Sequence, residues 1–255
     1  MKRIVGDFEV ADVVRLNSAH SILRLQMTER IDIRPGQFAE VRVEGSPRTF
    51  LRRPISIHDY DEAGGTVDLL VQACGDGTRR LLCMHKGECL NVLLPLGKGF
   101  TLPEKDERLL LVGGGVGVAP LYFLGHWMRK RGQKPSFLIG ARSAGVLLRV
   151  DDFGRMGATY ITTEDGSAGT RGFVTDHPIM GDKFTRWVVC GPESMMKAVG
   201  RRACEEGVEC EVSLENRMAC GVGACLCCVE KTKEGNRRVC TEGPVFNVKE
   251  LLWHG

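Results

Sequence analysis

No apolar run in the chain approaches the roughly 20 residues that a membrane span needs, and the opening MKRIVGDFEV lacks the apolar stretch of a secretory signal. Membrane insertion and export are therefore not expected, and the reading is of a cytoplasmic protein. An excess of one charge is also lacking. The 35 Lys and Arg stand against 32 Asp and Glu, a net charge of +3, with no clustered basic surplus of the kind that wraps nucleic acid. Cysteine is too sparse for a disulfide scaffold: eleven in 255 residues, an odd number. In a reducing compartment, clustered Cys points instead to metal or redox chemistry. Repeats and low-complexity tracts are absent, and 43% hydrophobic with 26% charged residues excludes disorder. What the chain has in surplus is glycine, 32 residues, which supplies positive φ or room for a ligand against the backbone.

Three textures follow one another. Residues 1–101 read as short alternating or apolar runs, such as 22–27 (ILRLQM), 38–43 (FAEVRV) and 67–72 (VDLLVQ), broken by Gly and Pro. This pattern predicts an antiparallel barrel. Over 102–212 come continuous apolar strands, 109–112, 136–140, 158–162 and 187–190, separated by helical stretches at 120–131 and 193–205. Such alternation predicts an α/β unit with a parallel sheet. The last segment, 213–255, is short and carries five of the cysteines; a unit this small is expected to need a staple. The fold class is thus multidomain α+β.

The strongest motif is ENRMACGVGACLCCV. Cys220, Cys225 and Cys228 stand at C-x4-C-x2-C, and Cys240 follows after eleven intervening residues, which is plant-type 2Fe-2S spacing. Such a cluster is anionic, more so when reduced, so its loop must aim backbone N–H groups at sulfur. Gly221, Gly223 and Ala224 allow that approach. A structural zinc knuckle would instead favour paired short spacings. Cys227 is off-register, readable as a free thiol or as an alternative ligand.

The second motif, LLLVGGGVGVAPLYFLGHWMRKRG, is a strand, a glycine-rich turn and a helix with Pro120 in its first turn. Gly113, Gly114, Gly115 and Gly117 are placed for a dinucleotide pyrophosphate. The usual third glycine is missing, and GxGxxP from Gly115 to Pro120 replaces it. The third motif, CGPESMM, puts Cys190, Gly191 and Pro192 at the carboxyl edge of the same sheet, where ligands bind. Cys190 reads as a positioning group more than a nucleophile. In the first half, RRPISIHD (52–59) and CGDGTRRLL (74–82) offer charge and N–H donors to another phosphate pair.

One physical argument connects these sites. A nicotinamide moves two electrons as a hydride, whereas a 2Fe-2S centre moves one. A flavin must stand between them, because it can do both.

Taken together, RPIS, the G-x-G-T loop, GGGVGVAP, CGP and ACGVGAC..CV followed by CTEGPVF resemble, over essentially the whole chain, the electron-transfer subunits of NAD-dependent class 1B dihydroorotate dehydrogenases, within the ferredoxin reductase superfamily. The resemblance implies FAD held by Arg53, Pro54, Ile55 and Ser56 near the isoalloxazine and ribityl chain. It adds Leu70, Val71 and Gln72 through backbone contacts, with Gly77 and Thr78 on the pyrophosphate. Cluster ligands would be Cys220, Cys225, Cys228 and Cys240; NAD would lie on the glycine turn and on Gly191 and Pro192, beside Cys190. It also implies a partner, an FMN-containing catalytic subunit that oxidises dihydroorotate, in a heterotetramer of two of each; no nucleic acid and no membrane take part. Two related architectures compete: an oxygenase reductase, which carries a longer ferredoxin domain, and a small subunit of a bifurcating or hydrogenase complex. A zinc-stapled binding module would leave both nucleotide loops unexplained. NAD against NADP stays open, with Arg142 favouring a 2′-phosphate and Glu164 and Asp165 opposing it.

Overall fold

A computed structural model describes residues 2–253. The first half is a barrel of six strands: β1 (Ile4–Asn17), β2 (His20–Gln26), β3 (Phe38–Val41), β4 (Arg53–Asp61), β5 (Thr66–Gln72) and β6 (Cys89–Leu96), closed in the order β1-β2-β5-β4-β3-β6. Every pairing in it is antiparallel. Alternation along β1 turns Phe8 and Val10 inward between exposed neighbours, and Leu23, Leu25, Ile57, Leu69 and Leu94 complete a sealed interior. Between β5 and β6 the chain forms the short helix α1 (Asp76–Leu82).

The second unit is built on parallel strands. These are β7 (Leu109–Gly114), β8 (Ser136–Ala141), β9 (Ala158–Thr163), β10 (Thr170–Arg171), β11 (Arg186–Cys190) and β12 (Glu209–Ser213), with helices α2 (Val118–Lys130), α3 (Val150–Met156) and α4 (Glu193–Glu206). Their near-continuous apolar sequences are explained by layers on both faces of the sheet. One face carries Trp187, Val189, Val199 and Ala203, the other Leu111, Leu124, Met128 and Phe153. The order β10-β9-β8-β7-β11-β12 runs outward in both directions from the β7/β11 junction. That junction is the topological switch point, where the carboxyl ends of two strands diverge and leave a crevice.

After β12 the chain runs through an irregular loop to a hairpin, β13 (Val229–Thr232) and β14 (Gly235–Arg238), a single turn α5 (Val239–Glu242) and strand β15 (Val245–Asn247). β15 pairs antiparallel with β12 and extends the large sheet. Cys228, Val239, Cys240, Phe246, Val248 and Leu251 are buried in one cluster with Trp187 and Val189 of the sheet and with Phe38 and Leu96 of the barrel. The tail therefore shares its neighbours' core, which is how so short a segment finds apolar burial. Among the described residues no helix is long and apolar enough to cross a membrane.

Candidate functional site

The sequence-predicted residues fall into three groups. Arg53, Pro54, Ile55 and Ser56 open β4, and Leu70, Val71 and Gln72 close β5, the next strand of the barrel. Val71 points into the barrel core, while Leu70 points outward and packs with Leu109, Leu111 and Val118 of the parallel sheet and α2. Gly77 meets the RPIS strand. A Cβ there would lie 2.9 Å from Thr49 Cγ2 and 3.2 Å from Arg53 Nε, so the two first-half motifs form one locus with a guanidinium at its centre. The Thr78 hydroxyl is committed locally, accepting from the backbone N–H of Cys74 (2.9 Å) and Gly75 (3.0 Å). Its structural part is to close the turn.

At the switch point the register pairs Cys190 with Gly113, so the second and third motifs are neighbours in space although these two residues are 77 apart in sequence. The four glycines of the turn are small for different reasons. A Cβ on Gly113 would strike Val118 (2.9 Å), on Gly114 Met195 Sδ (2.6 Å), and on Gly117 the carbonyl of Cys190 (2.4 Å). Those three serve packing of protein on protein. Gly115 differs: its φ is +55° and a Cβ there would meet nothing within 4 Å, so packing does not demand its smallness. Pro120 sits in the first turn of α2, and Pro192 precedes α4 as its cap. Gly191 packs on Gly114, whose N lies 3.0 Å from a Cβ built at 191. Cys190 is fully buried; burial pushes its thiol well above the usual range, Glu215 adds to this, and the Ser213 side chain opposes it as a hydrogen-bond partner. A thiolate is thereby disfavoured, which suits a positioning role. At the ends of β8 and β9, Arg142, Glu164 and Asp165 lie side by side, tied by Asp165 N–H donating to Arg142 O (3.2 Å). The Asp165 carboxylate is already occupied by the Ser167 N–H (2.9 Å) and hydroxyl (2.6 Å).

The cysteine loop leaves β12 and returns over the barrel. Gly221 has φ +66° and a Cβ there would run into Glu40 Cγ at 2.6 Å and Leu96 Cδ1 at 3.0 Å, so the loop is seated directly on β3 and β6. Among the described residues no three His, Cys, Asp or Glu side chains converge as a mononuclear metal would require. The thiols instead form two pairs. Cys220 is joined to Cys225 by a side-chain hydrogen bond, and Cys228 to Cys240. Two pairs are what two adjacent metal ions need, one pair for each. Burial pushes the Cys220 thiol up, but the N–H groups of Val222, Cys225 and Ala224 and the Cys225 side chain outweigh it and bring it down to about 6. The Val222 N–H stands 3.5 Å from Cys220 Sγ, and the Cys240 N–H 3.4 Å from Cys228 Sγ. In the second pair burial, followed by the neighbouring Cys228, pushes Cys240 up to about 12. A loop of amides aimed at paired sulfurs fits an anionic dinuclear cluster. Cys228 and Cys240 are buried, while Cys225 and Cys227 are exposed among Val222 and Leu226, also exposed.

Sequence reading missed Glu40. It is fully buried on β3 beneath Gly221, neither carboxyl oxygen has a hydrogen-bond partner, and burial, opposed by Arg52, pushes it up to about 7. Its alternation in FAEVRV argues for an outward, wet position. The loop folded back at residue 221 covers it. His58 and Arg149, in contact across the two halves at 2.8 Å, were also missed, because ninety residues separate them.

Residues 215–252 match the model of the iron-sulfur cluster binding domain of dihydroorotate dehydrogenase B. The dihydroorotate dehydrogenase B (NAD(+)), electron transfer subunit of Fusobacterium nucleatum is 41% identical over 226 residues, 85% of this chain and 86% of that one. The protein of the same name from Bacillus cereus (strain B4264) is 37% identical over 257 residues, 98% and 96% of the two chains. Among solved structures, a chain of the NADH-dependent reduced ferredoxin-NADP oxidoreductase, studied for flavin-based electron bifurcation, superposes with a TM-score of 0.86 at 30% identity, covering 96% of this chain and 90% of that one. The ferredoxin reductase of carbazole 1,9a-dioxygenase shares the fold at a TM-score of 0.70 and 19% identity, over 82% and 67% of the chains. At 41% and 37% identity over most of each chain to relatives of that name, the chain belongs to the family of dihydroorotate dehydrogenase B electron transfer subunits.

Proposed function

We propose that this chain relays electrons between a catalytic subunit that oxidises dihydroorotate and NAD+, by way of a 2Fe-2S cluster and FAD, in pyrimidine biosynthesis. The observation that carries this reading is the seating of the cysteine loop on the barrel. Gly221 lies against Glu40 and Leu96, on strands of the same barrel whose β4 begins with the RPIS motif. When bound, FAD exchanges hydride with a nicotinamide and single electrons with the cluster, so the pair from one substrate can be handled on both sides.

The residues take these parts. Cys220 with Cys225, and Cys228 with Cys240, would hold the two irons. Arg53, Pro54, Ile55 and Ser56, with Leu70, Val71, Gln72, Gly77 and Thr78, would hold the flavin. Gly115 gives the dinucleotide pyrophosphate close access to the backbone at the mouth of the turn, with Gly113, Gly114, Gly117 and Pro120 shaping it. Gly191, Pro192 and Cys190 would line the nicotinamide side, Cys190 by shape and not by nucleophilic attack. Three modules, residues 1–101, 102–212 and 213–255, would thus correspond to flavin, nicotinamide and cluster.

The partner would carry FMN, in an assembly of two copies of each subunit. Exposed Leu226 and Val222 beside Cys225 offer it an apolar rim around the outer pair of ligands. The test is to mix the purified chain with its catalytic subunit and follow NADH formation from dihydroorotate. Both proteins together should produce NADH; production by this chain alone, free of partner, would overturn the reading.

A further inference from the structure

β4 and α2 each serve two places at once. β4 begins with RPIS and carries His58 and Asp59 further along; α2 begins at the glycine turn and carries Tyr122 and His126 on its next turns. Where the two elements cross, a group of polar side chains is enclosed between the barrel and the nucleotide unit. His58 is fully buried. Its Nδ1 lies 3.2 Å from the carbonyl oxygen of Ala119 in α2, and its Nε2 lies 2.8 Å from a terminal guanidinium nitrogen of Arg149. A carbonyl only accepts and a guanidinium only donates. The ring must therefore be neutral, with its proton on Nδ1 donated to Ala119 and Nε2 accepting from Arg149. The opposite tautomer would set two donors against each other and two acceptors against each other.

The neighbours fix this arrangement from every side. The imidazole stacks on Tyr122 with ring centroids 4.5 Å apart and planes at 26°. The Arg149 guanidinium covers the other part of the same Tyr122 ring at 4.2 Å and donates to its hydroxyl at 3.2 Å. Asp152 holds Arg149 Nε at 2.7 Å. Arg149 itself adopts φ +55° at the start of α3, a left-handed conformation that a residue with a Cβ disfavours. Next to His58 on β4, Asp59 pairs with His126 of α2 at 2.8 Å. Burial and the charge of Arg149 depress the His58 imidazolium to about 3, against the smaller opposing pull of Asp59, the Ala119 carbonyl and Asp152. The ring stays neutral across the physiological range.

We propose that His58 and Arg149 are positioning residues for hydride transfer: they form a tautomer-specific latch that sets the angle at which the nucleotide unit meets the barrel, and through it the approach of nicotinamide to flavin. This rests on the cofactor assignment above. The apolar part of the same interface, Ile22 and Leu70 against Leu109, Leu111 and Val118, is non-directional and would tolerate sliding or rotation. The latch is directional, because each of its donors has one acceptor and one line of approach. A fully apolar contact would avoid the desolvation of a buried imidazole and guanidinium, so what this polar arrangement adds is orientation.

The experiment uses the full chain loaded with FAD and cluster. In the wild type, nitrogen-15 NMR of labelled histidine should find His58 as the Nδ1–H tautomer, unchanged over roughly pH 5 to 8; an Nε2–H form, or titration in that range, overturns the latch. His58→Phe keeps the ring and its stacking but removes both hydrogen bonds. It should lower the single-turnover rate of flavin reduction by NADH about 10- to 100-fold, with FAD content, cluster absorbance and NADH Kd close to wild type. His58→Phe/Arg149→Leu, which leaves no unpaired donor behind, keeps the test open should the single variant not fold, and it should show the same slow transfer. Wild-type rates in either folded variant overturn the proposal. Failure of the wild-type chain to retain FAD, or to be reduced by NADH, would instead refute the functional reading and leave the tautomer result standing.

Discussion

Replacing Gly115 by alanine separates a glycine kept for a ligand from glycines kept for packing. At this position φ is +55° and a Cβ would meet nothing within 4 Å. The cost to folding is therefore the left-handed backbone alone, about 1–2 kcal/mol. In a chain of this size that lowers Tm by roughly 2–8 °C. The new methyl, however, would stand on the turn against whose backbone the proposed dinucleotide pyrophosphate lies. NADH affinity should fall at least about tenfold, equivalent to about 1.4 kcal/mol, while FAD and iron contents stay at wild-type levels. Gly114→Ala is the control. Its Cβ would lie 2.6 Å from Met195 Sδ and 3.0 Å from Pro192 Cδ, an overpacking that costs about 1–3 kcal/mol of stability and acts on the protein first. The assay is NADH binding by fluorescence beside thermal unfolding on both variants. Wild-type NADH affinity in a folded Gly115→Ala chain would refute the placement of the pyrophosphate.

Cys225→Ser should lose the cluster while FAD stays bound, because Cys225 belongs to the loop and not to the barrel; unchanged iron content would remove it from the ligand set. Cys190→Ala should slow NADH-to-flavin hydride transfer with both cofactors retained, and a wild-type rate in stopped-flow would make the residue purely structural. The buried His58 predicts a pH dependence whose sign follows from its depression from 6.5 to about 3. Between these values the unfolded chain binds the extra proton, so stability is at its plateau above about pH 6.5 and is lost as pH falls toward 3. The loss reaches about 3 kcal/mol near pH 4. Urea unfolding at stepped pH should show this slope in the wild type and a shallower one in His58→Phe; equal slopes would refute it.

The position of the cluster loop explains why one chain can carry both kinds of electron chemistry. Its Cys228 and Cys240 are buried in the cluster that holds Phe38 and Leu96 of the barrel and Trp187 of the sheet. The tail thus rests on both larger units while Cys225 is exposed and Cys220 half-buried. On the proposed assignment, a cluster held there would stand between the partner and the flavin without the units having to move apart.

Sequence alone determined what depends on local order along the chain. Short alternating or apolar runs fold as the barrel strands, continuous apolar runs as β7, β8, β9 and β11, and a glycine turn before an apolar helix as the start of α2, because each pattern is satisfied within a few residues. The cysteine spacing belongs to the same class: C-x4-C-x2-C is a property of one loop, and the loop brings its own amides. Tertiary structure decided whatever depends on residues that are far apart in the chain. Glu40 looks like an ordinary outward charge until residue 221 closes over it. Gly113, Gly114 and Gly117 look like ligand glycines, and only the packing of Val118, Met195 and Cys190 against them shows that Gly115 alone opens onto free space. His58 was one scattered histidine, and it acquires a defined tautomer from a carbonyl sixty-one residues away and a guanidinium ninety-one residues away. Hydrogen-bond direction and close packing act over a few ångströms of space, and the chain order carries no record of which distant residues will share them.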